Sequence, residues 1–473
     1  MTRYLSRLFE LEGLPARLMV AAGAAASVGL LFLATMRQGM YESALQMLGV
    51  LILGGIAAYP VVERPVLGLV LLIPASILPP LHVGGKGGAS VAFIAAPALV
   101  GLWLLSRLSH EGGLKLLHTR VFKPLAWFAL ASIIAFGVGQ YRWFGVAGAS
   151  LDARIGGLAM FLLSPAILVM AAHEFRNTVW LKRAVWALMF VGAILLVSAG
   201  LGVLGFRSVG LLQTKGGMGS MFWTWLLAMS FSQGVINNRL PARARLFCLA
   251  ITAGTLALTM GSWLEWASGW APGCVALGVT FLAFRPRAGL VLGILGGLVL
   301  VANATVARDL AYTPDQAYST KTRAAAAQTL LEIAKQNPIT GFGPANYYHY
   351  TPLFPILGWY VHFNSHNNYF DLILQTGLCG LFCIGWLWFE LGRTYWRARP
   401  HSRRGFERAF LCGAIGGVAG TAVAGGLGDW FLPFVYNVGI FGFGSSILAW
   451  IFMGALVGVA SLQDRPTIQS VDL

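Results

Sequence analysis

Apolar stretches of roughly 15 to 22 residues, separated by short polar connections, recur from Leu18 almost to the C-terminus. That is the length an α-helix needs to cross about 30 Å of hydrocarbon. Read run by run, they predict helices near residues 18–35, 44–62, 66–81, 91–105, 125–139, 155–172, 184–203, 221–236, 247–264, 272–284 and 288–306, then near 367–389, 409–425 and 438–461. Pro74, Pro79 and Pro80 break or shorten some early runs, so a count anywhere from about 12 to 14 fits the pattern, with some segments re-entrant. The predicted fold class is all-α, a polytopic transmembrane helical bundle with one large extramembrane helical loop. The first run follows Arg3, Arg7 and Arg17, is not followed by a small-residue cleavage site, and reads as a span and not a removed signal peptide.

About sixty residues separate Val306 from Asn367, which divides the chain into an N-terminal bundle (1–306), a large loop (307–366) and C-terminal spans (367–473). Within the loop, Ser319-Thr320 precede Lys321 to Gln336, where Ala324, Ala327, Leu331 and Ala334 recur at helical spacing until Pro338. An amphipathic helix starting near Lys321 is predicted. Thr340-Gly341-Phe342-Gly343-Pro344 reads as a tight turn, and Tyr347, Tyr348, Tyr350, Trp359 and Tyr360 as aromatic surface near the membrane interface.

Composition agrees with this pattern: of 473 residues 57% are hydrophobic and 11% charged. The formal net charge of +16 does not point to nucleic acid, because the basic residues stand singly or in small groups between apolar runs and form no face or arm. They set orientation instead. With the N-terminus inside, most of the 33 Lys and Arg fall in cytoplasmic connections, the strongest being Arg393, Arg397, Arg399, Arg403, Arg404 and Arg408. The large loop is then periplasmic, and both termini are cytoplasmic. The five cysteines, Cys248, Cys274, Cys379, Cys383 and Cys412, lie in or beside apolar runs and read as core packing.

The cations left on the outer side include Arg154, Lys215 and Arg323, and some of these should meet an anion. Arg154 begins an apolar run and otherwise reads as snorkelling to the head groups. Lys215 lies in the glycine-rich Gln213-Thr214-Lys215-Gly216-Gly217-Met218-Gly219, and Arg323 falls in the first turn of the predicted loop helix, where the macrodipole disfavours a cation unless an anion is near. His366 is the sharper signal. It stands where the loop re-enters the membrane, in His362-Phe363-Asn364-Ser365-His366-Asn367-Asn368-Tyr369-Phe370-Asp371, and a helix N-terminus favours the neutral imidazole a general base needs. Asp371 is a candidate either to orient the imidazole or to cap the helix, and His362 and Asn367 are candidate acceptor contacts.

His366-Asn367, nine intervening residues and Gly377-Leu378-Cys379-Gly380 resemble the histidine, amide, spacer and GxxG pattern of O-antigen ligases. The Arg323 segment followed by Pro338-Ile339-Thr340-Gly341-Phe342-Gly343 resembles that family's arginine, helix, proline and GxG stretch. The resemblance implies a GT-C-like membrane glycosyltransferase of the bacterial inner membrane, with an undecaprenyl-pyrophosphate-linked glycan as donor, a lipid A-core sugar hydroxyl as acceptor and membrane lipids around it. It further implies transfer with inversion; the chemistry of the residues assigns His366 as base and Arg154, Lys215 and Arg323 to hold the pyrophosphate. No cofactor is expected. The outward carboxylates Glu42, Asp152, Glu265, Asp309, Asp315, Glu332 and Asp429 are scattered and form no DxD-like run, which points to metal-independent transfer. An O-antigen polymerase or a protein O-oligosaccharyltransferase is the nearest alternative; a transporter or flippase is a more distant one.

Overall fold

A computed structural model of the protein describes residues 64–78, 90–110, 115–203, 219–262, 266–302 and 314–463. Among them are fourteen α-helices and no strand: α1 (Pro65–Ala75), α2 (Val91–His110), α3 (Phe122–Val138), α4 (Leu151–Glu174), α5 (Thr178–Val203), α6 (Gly219–Val235), α7 (Ala242–Leu256), α8 (Ala267–Phe284), α9 (Pro286–Ala302), α10 (Pro314–Ala334), α11 (Tyr347–Tyr350), α12 (Asn368–Ala398), α13 (Phe406–Leu427) and α14 (Phe443–Ser461). Eight of the helical segments are long and apolar enough to cross a membrane. The predicted runs 18–35 and 44–62 lie outside the described residues, and each of the other predicted runs contains a helix. The run at 66–81 stops as a helix at Ala75, one residue past Pro74, which removes a backbone donor.

The bundle is organised around helices that are apolar on all sides. In α14, 89% of the spanning window is buried, so this helix lies at the centre and not against lipid. Gly454 and Gly458, one turn apart, let it touch the backbone of α4: a Cβ at Gly454 would meet the Leu168 carbonyl at 2.3 Å, and one at Gly458 the Ala172 carbonyl at 2.5 Å. This small-residue packing replaces the hydrophobic drive that lipid does not supply. The α13 helix uses the same device, with Gly416 against the Ala276 carbonyl of α8 and Gly417 against Trp225 of α6. On the outside, Leu290, Val291, Leu292, Ile294, Leu295 and Leu298 of α9 are exposed, as befits a face whose solvent is hydrocarbon. Cys248, Cys383 and Cys412 are buried as predicted, whereas Cys379 is exposed.

Over one end of the bundle lies a cap built from the 139–150 segment, the 314–367 loop and the 428–439 segment. Its core contains Leu330, Ile333, Phe342, Tyr347, Tyr350, Leu374 and Phe434. Three expectations are corrected here. The loop helix begins at Pro314 and not at Lys321, proline being suited to a first helical position. Arg323 therefore sits well inside α10, and the macrodipole argument for it lapses. The buried stripe of α10 is Ala326, Leu330, Ile333 and Ala334, while Leu331 is 42% exposed, because the larger Leu330 and Ile333 fill the aromatic core. Tyr347 and Tyr350 are likewise core, not surface; Trp359 and Tyr360 are exposed.

The cap is fastened at a break in α12. Gly377 takes φ 67°, ψ −170°, so the helical bonds from residues 378 and 379 back to 374 and 375 are not made. The predicted tight turn takes their place: Phe342 N and Gly343 N donate to the Leu374 and Gln375 carbonyls at 2.8 and 3.0 Å, and Leu378 N and Cys379 N donate to the Pro338 and Ile339 carbonyls at 2.7 and 3.4 Å. Gly377 of the GxxG pattern thus serves a backbone-to-loop contact, whereas a Cβ at Gly380 would meet the Thr376 side chain of the same helix. A Cβ at Gly377 would lie 2.0 Å from the Ile339 carbonyl oxygen. Gly377→Ala is expected to cost about 2–5 kcal/mol, from a left-handed backbone at about 1–2 kcal/mol plus overpacking of about 1–3 kcal/mol. Gly385→Ala, in the same helix with open space at its Cβ, should be neutral or stabilising by up to about 1 kcal/mol. Thermal unfolding in detergent checks this; equal midpoints for the two variants would contradict the account.

Candidate functional site

The start of α12 is stitched to the end of α13 by two consecutive asparagines. Asn367 is the N-cap: its side-chain oxygen accepts from Tyr369 N and Phe370 N, and its Nδ2 donates to the Gly426 carbonyl at 2.9 Å. Asn368, fully buried, donates to the Leu432 carbonyl at 2.6 Å and accepts from Phe431 N at 3.1 Å. Together they bring the 428–439 segment, with Asp429 and Asn437, against residue 366.

His366 precedes the cap at φ 47°, a left-handed conformation uncommon for a side-chain-bearing residue. The other non-glycine residues with positive φ among those described, Phe144, Ala345 and Leu357, also belong to the cap, where stored strain is common near functional groups. His366 is exposed, and Asn437 Nδ2 lies 3.2 Å from its Nδ1. The same Nδ2 donates to Asp429 Oδ1 at 2.5 Å, and Asp429 Oδ2 accepts from Phe434 N at 2.9 Å. An Asp429–Asn437–His366 chain results. Desolvation, then the positive charge of Arg323 within electrostatic range, hold the His366 pKa below the ordinary histidine value. Burial pushes the Asp429 carboxyl up.

Of the other predicted residues, Asp371 neither caps the helix nor bonds to the imidazole. Its carboxylate accepts from Tyr347 Oη at 2.5 Å and Ser365 Oγ at 2.7 Å, and Tyr347 Oη in turn accepts from Ser365 N at 3.2 Å. Asp371 thus fixes the turn that carries His366. Asn367 has both ends of its amide engaged in the structure. His362 stacks on Tyr348 at 5.0 Å and its Nδ1 lies 3.0 Å from the Tyr348 carbonyl. It belongs to a cluster with His349 and Tyr436, in which His349 Nε2 meets Tyr436 Oη at 3.0 Å. Arg323 is exposed and forms no ion pair among the described residues. Arg154 bonds to the Gly139 carbonyl at 3.3 Å and to Gln140 Oε1 at 2.7 Å, so it neutralises the C-terminus of α3. Lys215 lies outside the described residues. Asn437 and Ser365 were not singled out from sequence, and Tyr347 was read only as aromatic surface.

Beside the cap, an apolar groove of about 350 Å³ runs between α3 and α12, lined by Trp127, Leu130, Ala131, Ile134, Thr340, Thr376, Cys379, Phe382, Cys383 and Trp386. Among the described residues no group of three or more His, Cys, Asp and Glu stands together as a metal site.

Residues 247–385 match the family profile described as O-antigen ligase, a stretch that contains Arg323, the turn at 338–343, His366 and the break at Gly377. Over this segment the chain is therefore similar to the O-antigen ligase/polymerase superfamily. No curated protein matches the chain. The eight apolar helices and the profile match together make it a multi-pass membrane protein. Within the matched segment, the stitch at Asn367 is testable: Asn367→Ala should lower stability by about 1–2 kcal/mol through loss of the cap, while Asn367→Asp, which still accepts from the first-turn amides but cannot donate to Gly426, should lose less. Thermal midpoints of the two variants in that order check it, and the reverse order would refute the capping role.

Proposed function

We propose that the protein is an O-antigen ligase that transfers a glycan from undecaprenyl pyrophosphate to a sugar hydroxyl of lipid A-core at the periplasmic face of the inner membrane. The observation that supports this most is His366: an exposed histidine whose neutral form is favoured by desolvation and by Arg323, inside the segment that matches the family profile. The acceptor hydroxyl gives its proton to His366 as its oxygen attacks the anomeric carbon; the new glycosidic bond forms as the bond to the pyrophosphate oxygen breaks, and the electron pair leaves with undecaprenyl pyrophosphate. Back-side attack inverts the sugar. The departing pyrophosphate is weakly basic and needs charge stabilisation more than a proton, the role proposed for Arg323, Arg154 and Lys215. A divalent metal is not required on this reading.

The tautomer of His366 matters. With Asn437 Nδ2 donating to Nδ1, the neutral ring carries its proton on Nε2. Exchanging the amide oxygen and nitrogen of Asn437 would let Oδ1 accept from Nδ1–H and leave Nε2 bare to act as base. That exchange sets Oδ1 against Asp429, which must then hold a proton, and burial of Asp429 makes its protonated form accessible. The apolar groove between α3 and α12 suits a polyprenyl chain and supports lateral entry of the donor from the membrane.

His366→Ala is expected to reduce transfer by at least about 10³-fold, within the range of general-base contributions, while binding of the lipid-linked donor persists. Wild-type activity should fall as pH drops through the lowered His366 pKa, because the protonated ring cannot accept a proton. Arg323→Gln removes the neighbouring positive charge, raises that pKa and moves the acid limb to higher pH, with weaker donor binding. A pH–rate profile of both proteins checks the shift; an unmoved or lowered limb would oppose it. Purified protein with lipid-linked glycan should glycosylate lipid A-core, with chelator present or absent. Transfer only to peptide, or only to another lipid-linked glycan, would replace the ligase reading by the oligosaccharyltransferase or the polymerase, and an absolute metal requirement would refute the mechanism.

A further inference from the structure

The end of the bundle away from His366 holds a second concentration of charge. A cleft of about 310 Å³ opens where α5 and α13 begin and where the chain turns after α6, and Lys182, Arg239, Arg403 and Arg404 line it with a single carboxylate, Glu407. The ion pairs among the described residues are Arg107–Glu174, Lys335–Glu332 and Arg393–Glu390, so all four cations lack a carboxylate partner there. Glu407 is itself engaged with a backbone amide, accepting from Arg403 N at 3.3 Å.

The cations are held in place and not merely splayed into water. Lys182 Nζ stands over the Phe406 ring, 5.6 Å from its centre. The Arg239 stem crosses the start of α13 at Gly405, where φ is +97° and a Cβ would lie 2.7 Å from Arg239 Cδ. The α13 helix starts there without a side-chain cap, and Thr178, the first residue of α5, also lines the cleft. Two helix N-termini therefore add positive potential to the four side chains. Arginines that only set membrane orientation need no such cavity.

Two further observations narrow the ligand. Asn237, 2% exposed, lines the cleft and donates through Nδ2 to Gln233 Oε1 at 2.8 Å, yet its Oδ1 is buried with no partner. A buried acceptor left open is costly and calls for a donor such as a hydroxyl. Trp186, Leu240 and Phe406 supply an apolar wall beside the charges. An anion, a hydroxyl and hydrocarbon are the parts of a glycerol-headed anionic lipid, and basic pockets between spanning helices suit such head groups. We propose that this cleft binds the phosphodiester head group of an anionic phospholipid, Lys182, Arg239, Arg403 and Arg404 meeting the phosphate and Asn237 Oδ1 accepting from a head-group hydroxyl. The α13 helix, 22 residues long and so about 33 Å from end to end, separates this site from His366, and the proposal does not depend on the transfer reaction.

The test uses the full-length protein in detergent, with lipid binding measured by native mass spectrometry and by the rise in unfolding midpoint, which a ligand specific for the folded state must produce. Phosphatidylglycerol is expected to bind at least tenfold more tightly than phosphatidylcholine, and several-fold more tightly than phosphatidylmethanol, a phosphodiester lacking the hydroxyls. The pair Arg239→Gln and Arg404→Gln should weaken phosphatidylglycerol at least tenfold, the pair Arg239→Lys and Arg404→Lys much less, and the pair Arg285→Gln and Arg287→Gln, outside the cleft, less than twofold. If the first pair does not fold, Arg403→Gln alone should give at least a threefold loss. Equal binding of phosphatidylglycerol and phosphatidylcholine, or equal losses in the cleft and control pairs, would overturn the proposal. Saturation by inorganic phosphate with no gain from the lipid would assign the cleft to free phosphate and also overturn it, and equal affinity for phosphatidylmethanol would remove Asn237 from it.

Discussion

The exchange of four backbone hydrogen bonds at the break in α12 is the constraint from which the rest of the cap follows. A spanning helix in hydrocarbon must satisfy every amide and carbonyl within protein, so α12 can open at Gly377 only where another backbone stands ready with matching donors and acceptors. The turn at 338–343 supplies them. Because the turn and the break must be present together, the long loop is pinned to the bundle at one fixed register. Its helix α10 then has only one way to lay Leu330 and Ile333 onto Phe342 and Leu374. Glycine is needed at 341 and 377 because the two backbones approach more closely than any Cβ would allow.

From that anchor the polar residues at the head of α12 fall into place. Asn367 and Asn368 draw the 428–439 segment in, Asp371 with Tyr347 and Ser365 holds the preceding turn, and the result is a histidine in an unfavourable backbone conformation with a fixed neighbour at Nδ1. Each of these buried polar groups would be costly alone. As a network they define one orientation of one ring, the requirement for a base that must meet an incoming alcohol along a defined direction.

Much of this architecture was legible in the chain. Apolar runs set the helices, because in hydrocarbon length and hydrophobicity alone decide what can span, and Gly341 and Gly343 marked the turn. The face of α10 was misread because its alanines offer several stripes at helical spacing and only the volumes of Leu330 and Ile333 choose among them. Its start was placed late because Ser319-Thr320 imitate a cap, while Pro314 is also a legitimate first residue. Arg154 and Asp371 show the larger limit: a charge near the membrane surface announces that it needs a partner, but not whether that partner is Gly139, Tyr347 or a ligand. Asn437 was invisible for the opposite reason, an ordinary polar residue in a short connection that becomes relevant only when Asn368 folds its segment over His366.

The engagements of the cations also bear on the order in which an anion would meet them. Among the described residues Arg323 has no carboxylate to leave, so with respect to them an incoming diphosphate gains its charge without breaking an ion pair. Arg154 must give up Gln140 and the Gly139 carbonyl, and its departure would leave the negative end of α3 uncompensated. On the proposed reading Arg323 is therefore the first contact, and Arg154 joins only if the bound anion repays that loss. The groove reinforces the argument, because α3 presents Trp127, Leu130 and Ile134 to it and ends at the carbonyl that holds Arg154. A lipid tail lying along α3 would carry its phosphates toward that end of the helix, so that hydrocarbon contact and charge would be read by one element, with α12 completing the groove and carrying His366 at its head.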